Sequence, residues 1–270
     1  MAARQAQAVP AEGPALSALG RLGRSFFARP SPVVARDLLG RLLVKRLDDP
    51  PDGLLVARLV ECEAYQEDDP ASHSYRGITG RTAVMFGQPG HLYVYLSYGM
   101  HHCMNVVTGR EGEGSAVLLR AAEPLEGLEA MAAARGLHVP GLLCAGPGRL
   151  TQAFGVARAD NGLDLSAGGA VFVSRGCPLP DEAVQVSPRI GISVAVDRPW
   201  RFFQAGSPFV SRPTPRGVKP SARASASVSR MARTRVKGRV TATAPATASG
   251  KRSGSVRGSE AAGSVGPGPG

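Results

Sequence analysis

From Pro213 to Gly270 the chain contains no Phe, Trp, Tyr, Leu or Ile, so that long stretch supplies almost nothing from which to build a core. Ser, Ala, Thr, Gly, Pro and Arg dominate it, a mixture that buries too little apolar surface to offset the entropy of ordering. It reads as a disordered basic tail, and any folded domain must be assembled from what precedes it. Residues 1–25 are rich in Ala, Gly and Pro and read as a flexible N-terminal segment. A single domain over 26–212 is the consequence.

Charge divides along the same boundary. The chain carries 32 basic and 21 acidic residues, a net +11, yet 11 of the basic residues and only one acidic residue, Glu260, lie from Pro213 onward. The domain is therefore nearly neutral. A flexible basic tail either adds sequence-independent attraction to nucleic-acid phosphates, weakening as salt rises, or is a solvated extension. No apolar run reaches the roughly 18 residues of a transmembrane helix, and the N-terminus lacks the apolar stretch of a secretory signal. A soluble cytoplasmic protein is expected. Cys62, Cys103, Cys144 and Cys177 are scattered singly, without a Cys-x-x-Cys pair, and read as small buried hydrophobes rather than metal ligands.

Local patterns predict a helix over 33–40 stopped by Gly40, then strands at 42–44 and 54–65 joined by a turn at 48–53. A hairpin is expected over 91–107 around Tyr98-Gly99, and a strand end at 118–119. Helices are expected over 124–135 and after Gly146-Pro147-Gly148, with further strands at 171–173 and 190–196. Strands and helices mix without regular β-α-β alternation, which makes the class α+β.

Chemistry concentrates between Glu61 and Asn105. If 60–65 is extended, Glu61, Glu63 and Tyr65 share one face, with Cys62 and Ala64 on the other. A carboxylate beside an aromatic ring suits a general base next to a stacking surface; an exposed edge strand would show the same spacing. In the hairpin, Tyr93, Tyr95 and Ser97 face one way, and Leu92, Val94, Leu96 and Tyr98 the other. Tyr98 adjoins Gly99 near the tip, where a large ring has little core to join. A ring so placed suggests a probe inserted into something, as proteins that kink nucleic acid insert apolar wedges between bases.

Several segments then resemble one known family in order and spacing. They are Glu61-Cys62-Glu63-Ala64-Tyr65, Ala71-Ser72-His73-Ser74, Leu92-Tyr93-Val94-Tyr95 with Tyr98-Gly99-Met100, Cys103-Met104-Asn105 and Val117-Leu118-Leu119-Arg120-Ala121. Gly146-Pro147-Gly148-Arg149-Leu150, Pro188-Arg189-Ile190-Gly191-Ile192 and Trp200-Arg201-Phe202-Phe203 extend the similarity over 26–212. Together they look like the alkyladenine (3-methyladenine) DNA glycosylases. The resemblance implies a curved antiparallel sheet flanked by helices, similar to a formyltransferase C-terminal domain, and base-excision repair by flipping damaged purines out of double-stranded DNA.

In the matching positions Glu63 is the general base, and Tyr65, His73 and Tyr95 pack against the extruded base. Asn105 excludes guanine, Arg120 organises the water and pocket wall, and Tyr98 fills the vacated space in the duplex. Met100 and Arg81 complete the DNA-facing set, although Thr82 departs from the Arg-Asn pair usual after Gly80. Glu61 is expected to form an ion pair and Tyr93 to lie in the core. His101 and His102 face either phosphate or solvent, and Arg189 either reaches DNA or caps an internal carbonyl. No lysine lies from Glu61 to Arg120, so simple hydrolysis without a Schiff base is expected. No metal or organic cofactor is implied, and a cytoplasmic, nucleoid-associated monomer fits. Two other readings are a non-catalytic lesion-binding protein and a hydrolase of free nucleosides or sugars with Glu61 and Glu63 as its carboxylate pair.

Overall fold

The computed structural model describes residues 20–48 and 53–212; the 213–270 tail, residues 1–19 and most of the turn expected at 48–53 lie outside them. The strands are β1 (Leu42–Arg46), β2 (Leu54–Tyr65), β3 (Leu92–Ser97), β4 (His101–Val107), β5 (Ala116–Glu126), β6 (Val171–Ser174), β7 (Val184–Ser187) and β8 (Arg201–Gln204). The helices are α1 (Arg24–Phe27), α2 (Ser31–Asp37), α3 (Leu128–Arg135), α4 (Pro140–Leu143) and α5 (Pro147–Ala153). All strands join one antiparallel sheet in the order β3-β4-β5-β2-β1-β6, with β8 alongside β2 and β7 alongside β8. The α+β class read from the sequence holds. Among the described residues, no helix is long and apolar enough to cross a membrane.

α2 opens with a proline in its first turn, where the missing N–H is an orphan anyway. Gly40 follows at φ +82°, and a Cβ there would meet the Cys177 carbonyl at 2.0 Å. Only glycine fits that approach. α2 packs on β2 and β5, and α5 on β4 and β5. Between them lies the main core, where Phe27, Leu38, Leu59, Met104, Leu119, Phe154 and Phe202 are buried together.

β2 runs through the middle of the sheet, and its residue parity changes partway. Leu55, Ala57 and Leu59 enter the main core, but beyond them Cys62 and Ala64 do so. The switch coincides with irregular pairing to β5: Leu59 pairs Ala122, Glu61 pairs Ala121 and Cys62 pairs Leu119. One extra residue on β2, Val60, and one on β5, Arg120, account for it. Such bulges re-aim side chains. Without the first, Glu61, Glu63 and Tyr65 would point into the apolar core.

Several expectations need correction. Residues 124–126 continue β5 rather than opening a helix; α3 begins at Leu128, after Gly127 in the left-handed region. Residues 190–196 form bends, not a strand, because Gly191 at φ +78° and Ala195 at φ +50° interrupt extension. β7 and β8 occupy the sheet positions instead. Within the segment expected to be flexible, residues 20–25 are described and packed: Leu22 is buried and Arg21 bridges Ser174. Cys62, Cys103 and Cys144 are buried, whereas Cys177 is exposed.

Candidate active site

On the face of β2 opposite the main core, Glu61 and Glu63 are fully buried, which removes the exposed-edge alternative. Both reach Arg120, projected by the bulge in β5. Arg120 Nε donates to Glu61 Oε1 at 2.9 Å and Nη1 to Glu63 Oε2 at 3.1 Å. Arg201, on β8, donates from Nε to Glu61 Oε1 at 2.8 Å. Ser211 adds its backbone N–H to Glu61 Oε2 at 2.6 Å and its hydroxyl to Oε1 at 2.8 Å. Glu63 instead receives the Ile190 N–H on Oε1 at 2.7 Å and the Tyr65 hydroxyl on Oε2 at 3.0 Å.

These surroundings push the two acids apart. Burial alone would raise Glu61, but the Arg201 and Arg120 guanidiniums and the Ser211 amide outweigh it and hold the carboxyl below its usual range. At Glu63 burial wins over Arg120, the Ile190 amide and Tyr65, so its carboxyl sits above the usual range. One acid is fixed as an anion and the other is readier to hold a proton. Such a division separates structural from proton-transferring carboxylates.

Beside them opens a cavity of about 570 Å³ lined by Tyr65, His73, Arg81, Tyr95, Asn105 and Arg120, among others. Glu63 does not itself line it, yet all three of its hydrogen-bonding partners, Tyr65, Arg120 and Ile190, do. The carboxylate therefore sits one layer behind the wall.

The cavity's far wall comes from the 3-10 turn His73–Arg76 and from β3. Ser72 caps the turn, and Ser74 donates to the Gly114 carbonyl at 2.6 Å. A Cβ at Gly114 would meet Ser74 and Phe86 at 2.6 Å, so glycine lets the turn close in. The His73 and Tyr95 rings meet edge to face at 4.5 Å. Arg81 lies 3.3 Å from His73 Nε2 and can only donate, so Nε2 accepts and Nδ1 carries the proton toward the Tyr93 hydroxyl at 3.0 Å. Burial and the Arg81 charge lower the imidazole pKa to about 4, which keeps the ring neutral at pH 7. Tyr93 is buried as expected but also lines the cavity. Asn105 Nδ2 donates to the Tyr93 carbonyl at 3.1 Å, which fixes its amide at the wall.

At the rim, Tyr98 is 86% exposed with φ +50° and is followed by Gly99 at φ +69°. Tyr98, Gly99 and Met100 form the three-residue connection between the paired Ser97 and His101, and a tyrosine held in the left-handed region is strained. Met100 is likewise exposed beside it. His101 is exposed and His102 half-buried.

Arg189 resolves to the internal alternative. Its side chain is buried in an ion pair with Asp69, donates to the Ala64 carbonyl at 3.0 Å and lies 4.6 Å from the Tyr65 ring centroid. Asp69, Arg201 and Ser211 were not anticipated. Arg189 and Arg201 each sat inside a recognised motif, which was the one available signal; Asp69 and Ser211 offered none.

A family model described as methylpurine-DNA glycosylase matches residues 25–208. Similar proteins include one from Carboxydothermus hydrogenoformans, 44% identical over 71% of this chain and 98% of its own length. Others come from Methanoculleus marisnigri, 50% identical over 71% and 98%, and Rhodopseudomonas palustris CGA009, 50% identical over 77% and 96%. Each bears the name "Putative 3-methyladenine DNA glycosylase". The class is thus a DNA-repair glycosylase, a hydrolase of N-glycosyl bonds. The chain belongs to the methylpurine-DNA glycosylase family.

Proposed function

We propose that the cavity receives a damaged purine, such as 3-methyladenine, 7-methylguanine or hypoxanthine, swung out of duplex DNA, and that Glu63 activates the water that releases it. Glu63 takes a proton from water as the new C1′–O bond forms and the C1′–N bond to the base breaks. The products are a free base and an abasic site. The carboxylate also faces the positive charge that develops on the sugar, as in glycoside hydrolysis. A positioned general base contributes about 10²–10⁴-fold. Arg120 keeps Glu63 oriented and anchored to the ionised Glu61.

Tyr65, His73 and Tyr95 form the walls against which the base stacks, each such contact being worth about 1–3 kcal/mol. Tyr98, with Met100, fills the gap in the duplex. Asn105, pinned to the Tyr93 carbonyl, crowds the exocyclic amine of guanine. Arg81 lies 5.4 Å from the Tyr95 ring and Arg189 4.6 Å from that of Tyr65. With guanidiniums already against both rings, positive charge on an alkylated base acts chiefly by making it a better leaving group. Flipping costs a few kcal/mol, and less for a mispaired base, so part of the selection precedes chemistry.

The single observation that supports this reading most is the buried Glu63 carboxylate held by three residues that themselves line the cavity. Incubation with duplexes carrying hypoxanthine or 3-methyladenine, followed by alkali, tests it. Strand breaks should appear only after alkali, and borohydride should trap no covalent adduct. Tight lesion binding with no base release would identify a recognition protein instead.

A further inference from the structure

The described chain ends on the Glu61 cluster, just past the residues matched by the family. Three donors on Arg120 have three separate acceptors: Nε meets Glu61, Nη1 meets Glu63, and Nη2 meets the Ser211 hydroxyl at 3.3 Å. The Ser211 hydroxyl in turn donates to Glu61, and its backbone N–H donates to the other Glu61 oxygen. Arg201 Nη2 donates to the Arg212 carbonyl at 3.1 Å, so both residues are held. Arg212 lines the same cavity as Tyr65 and Arg120. Ser211 and Arg212 lie beyond residues 25–208.

We propose that Ser211 is a positioning residue for catalysis: its hydroxyl closes the ring of contacts that sets the rotation of the Arg120 guanidinium, and so the contact of Nη1 with Glu63. A planar fork bound at only two of its three nitrogens can swing about the remaining contacts; the third partner stops it. The charged and polar groups facing Glu63 are Arg120 from β5, Glu61 and Tyr65 from its own strand, and the Ile190 amide from the 188–192 segment. Arg201 of β8 acts on it through Glu61. Of these, Arg120 is the cation in direct contact, so its orientation controls how readily Glu63 stays ionised. The inference rests on Glu63 being the base.

The test uses full-length protein in excess over a duplex containing one hypoxanthine, with excision followed in a single turnover across pH. Ser211→Ala removes the hydroxyl and leaves the backbone N–H. Losing one hydrogen bond to a charged group predicts a fall of about tenfold in rate. Duplex affinity should stay unchanged, and the acid limb of the pH–rate profile should move to higher pH as Glu63 loses its cation. Ser211→Thr, which keeps the hydroxyl, should restore rate and limb. A Ser211→Ala rate equal to wild type, a slower rate with an unmoved limb, or a Thr variant as slow as Ala would each overturn the proposal. Glu63→Gln run in parallel separates the two readings: if it still excises, the base assignment fails, whatever Ser211 does.

Discussion

Replacing Asp69 by Ala should destabilise the protein far more than a surface charge change would. Asp69 and Arg189 side chains are both fully buried and form an ion pair. Arg189 also donates to the Ala64 and Ala195 carbonyls, and lies near the Tyr65 and Trp200 rings. Removing the acid leaves a guanidinium in a dry site with carbonyls but no counter-charge. Breaking a buried pair from one side costs about 3–5 kcal/mol. That is a large part of the roughly 5–15 kcal/mol by which domains are stable. With a urea slope near 2 kcal/mol/M, the midpoint should fall by about 1.5–2.5 M. Trp200 is the chain's only tryptophan and is buried beside Arg189, so its fluorescence reports the transition directly. The double variant Asp69→Leu with Arg189→Met should recover much of the loss, since an apolar pair leaves no orphaned charge. A midpoint shift below about 0.5 M for Asp69→Ala would refute the reasoning, because at that slope it corresponds to about 1 kcal/mol, the scale of an exposed pair.

Further outcomes concern the site. Because burial raises Glu63, and a base works deprotonated, excision should fall as pH drops through a limb above the ordinary carboxylate value of about 4.3. His73 titrates only at about 4, so the limb should persist in His73→Gln; its disappearance there would assign it to the imidazole. Tyr98→Ala should slow excision from duplex DNA while leaving single-stranded substrate largely unaffected, and equal losses on both would exclude a plug. Deleting 213–270 should weaken non-specific binding and flatten its salt dependence, because eleven basic residues leave with that segment. An unchanged salt slope would rule out a role in DNA attraction.

Local rules located the parts of the site that depend on local chain geometry. Alternation along 60–65 placed Glu61, Glu63 and Tyr65 together, and Tyr98-Gly99 marked the hairpin tip. What the sequence did not reveal was set by contacts over long separations. Ile190, Ile192, Val194 and Val196 alternate like a strand, yet Val194 and Val196 are exposed. The Arg189 anchor on Asp69 and the Ile190 N–H bonded to Glu63 take that segment out of any ladder. Pro124 suggested a helix start, but it pairs with Ala57 next to a register shift in β2–β5, where a missing N–H is tolerated. The bulges at Val60 and Arg120 carry no sequence mark, although the parity switch they bring turns the carboxylates away from the main core. The pairing expected for Glu61 was legible in kind, but its partners came from β5, β8 and Ser211.

The central claim is that one buried carboxylate, Glu63, performs the proton transfer. Single-turnover excision of hypoxanthine by Glu63→Gln, measured beside its affinity for the same duplex, tests it directly. Near-normal binding with excision reduced by about 10²-fold or more is the expected result. Excision at the wild-type rate would contradict the account.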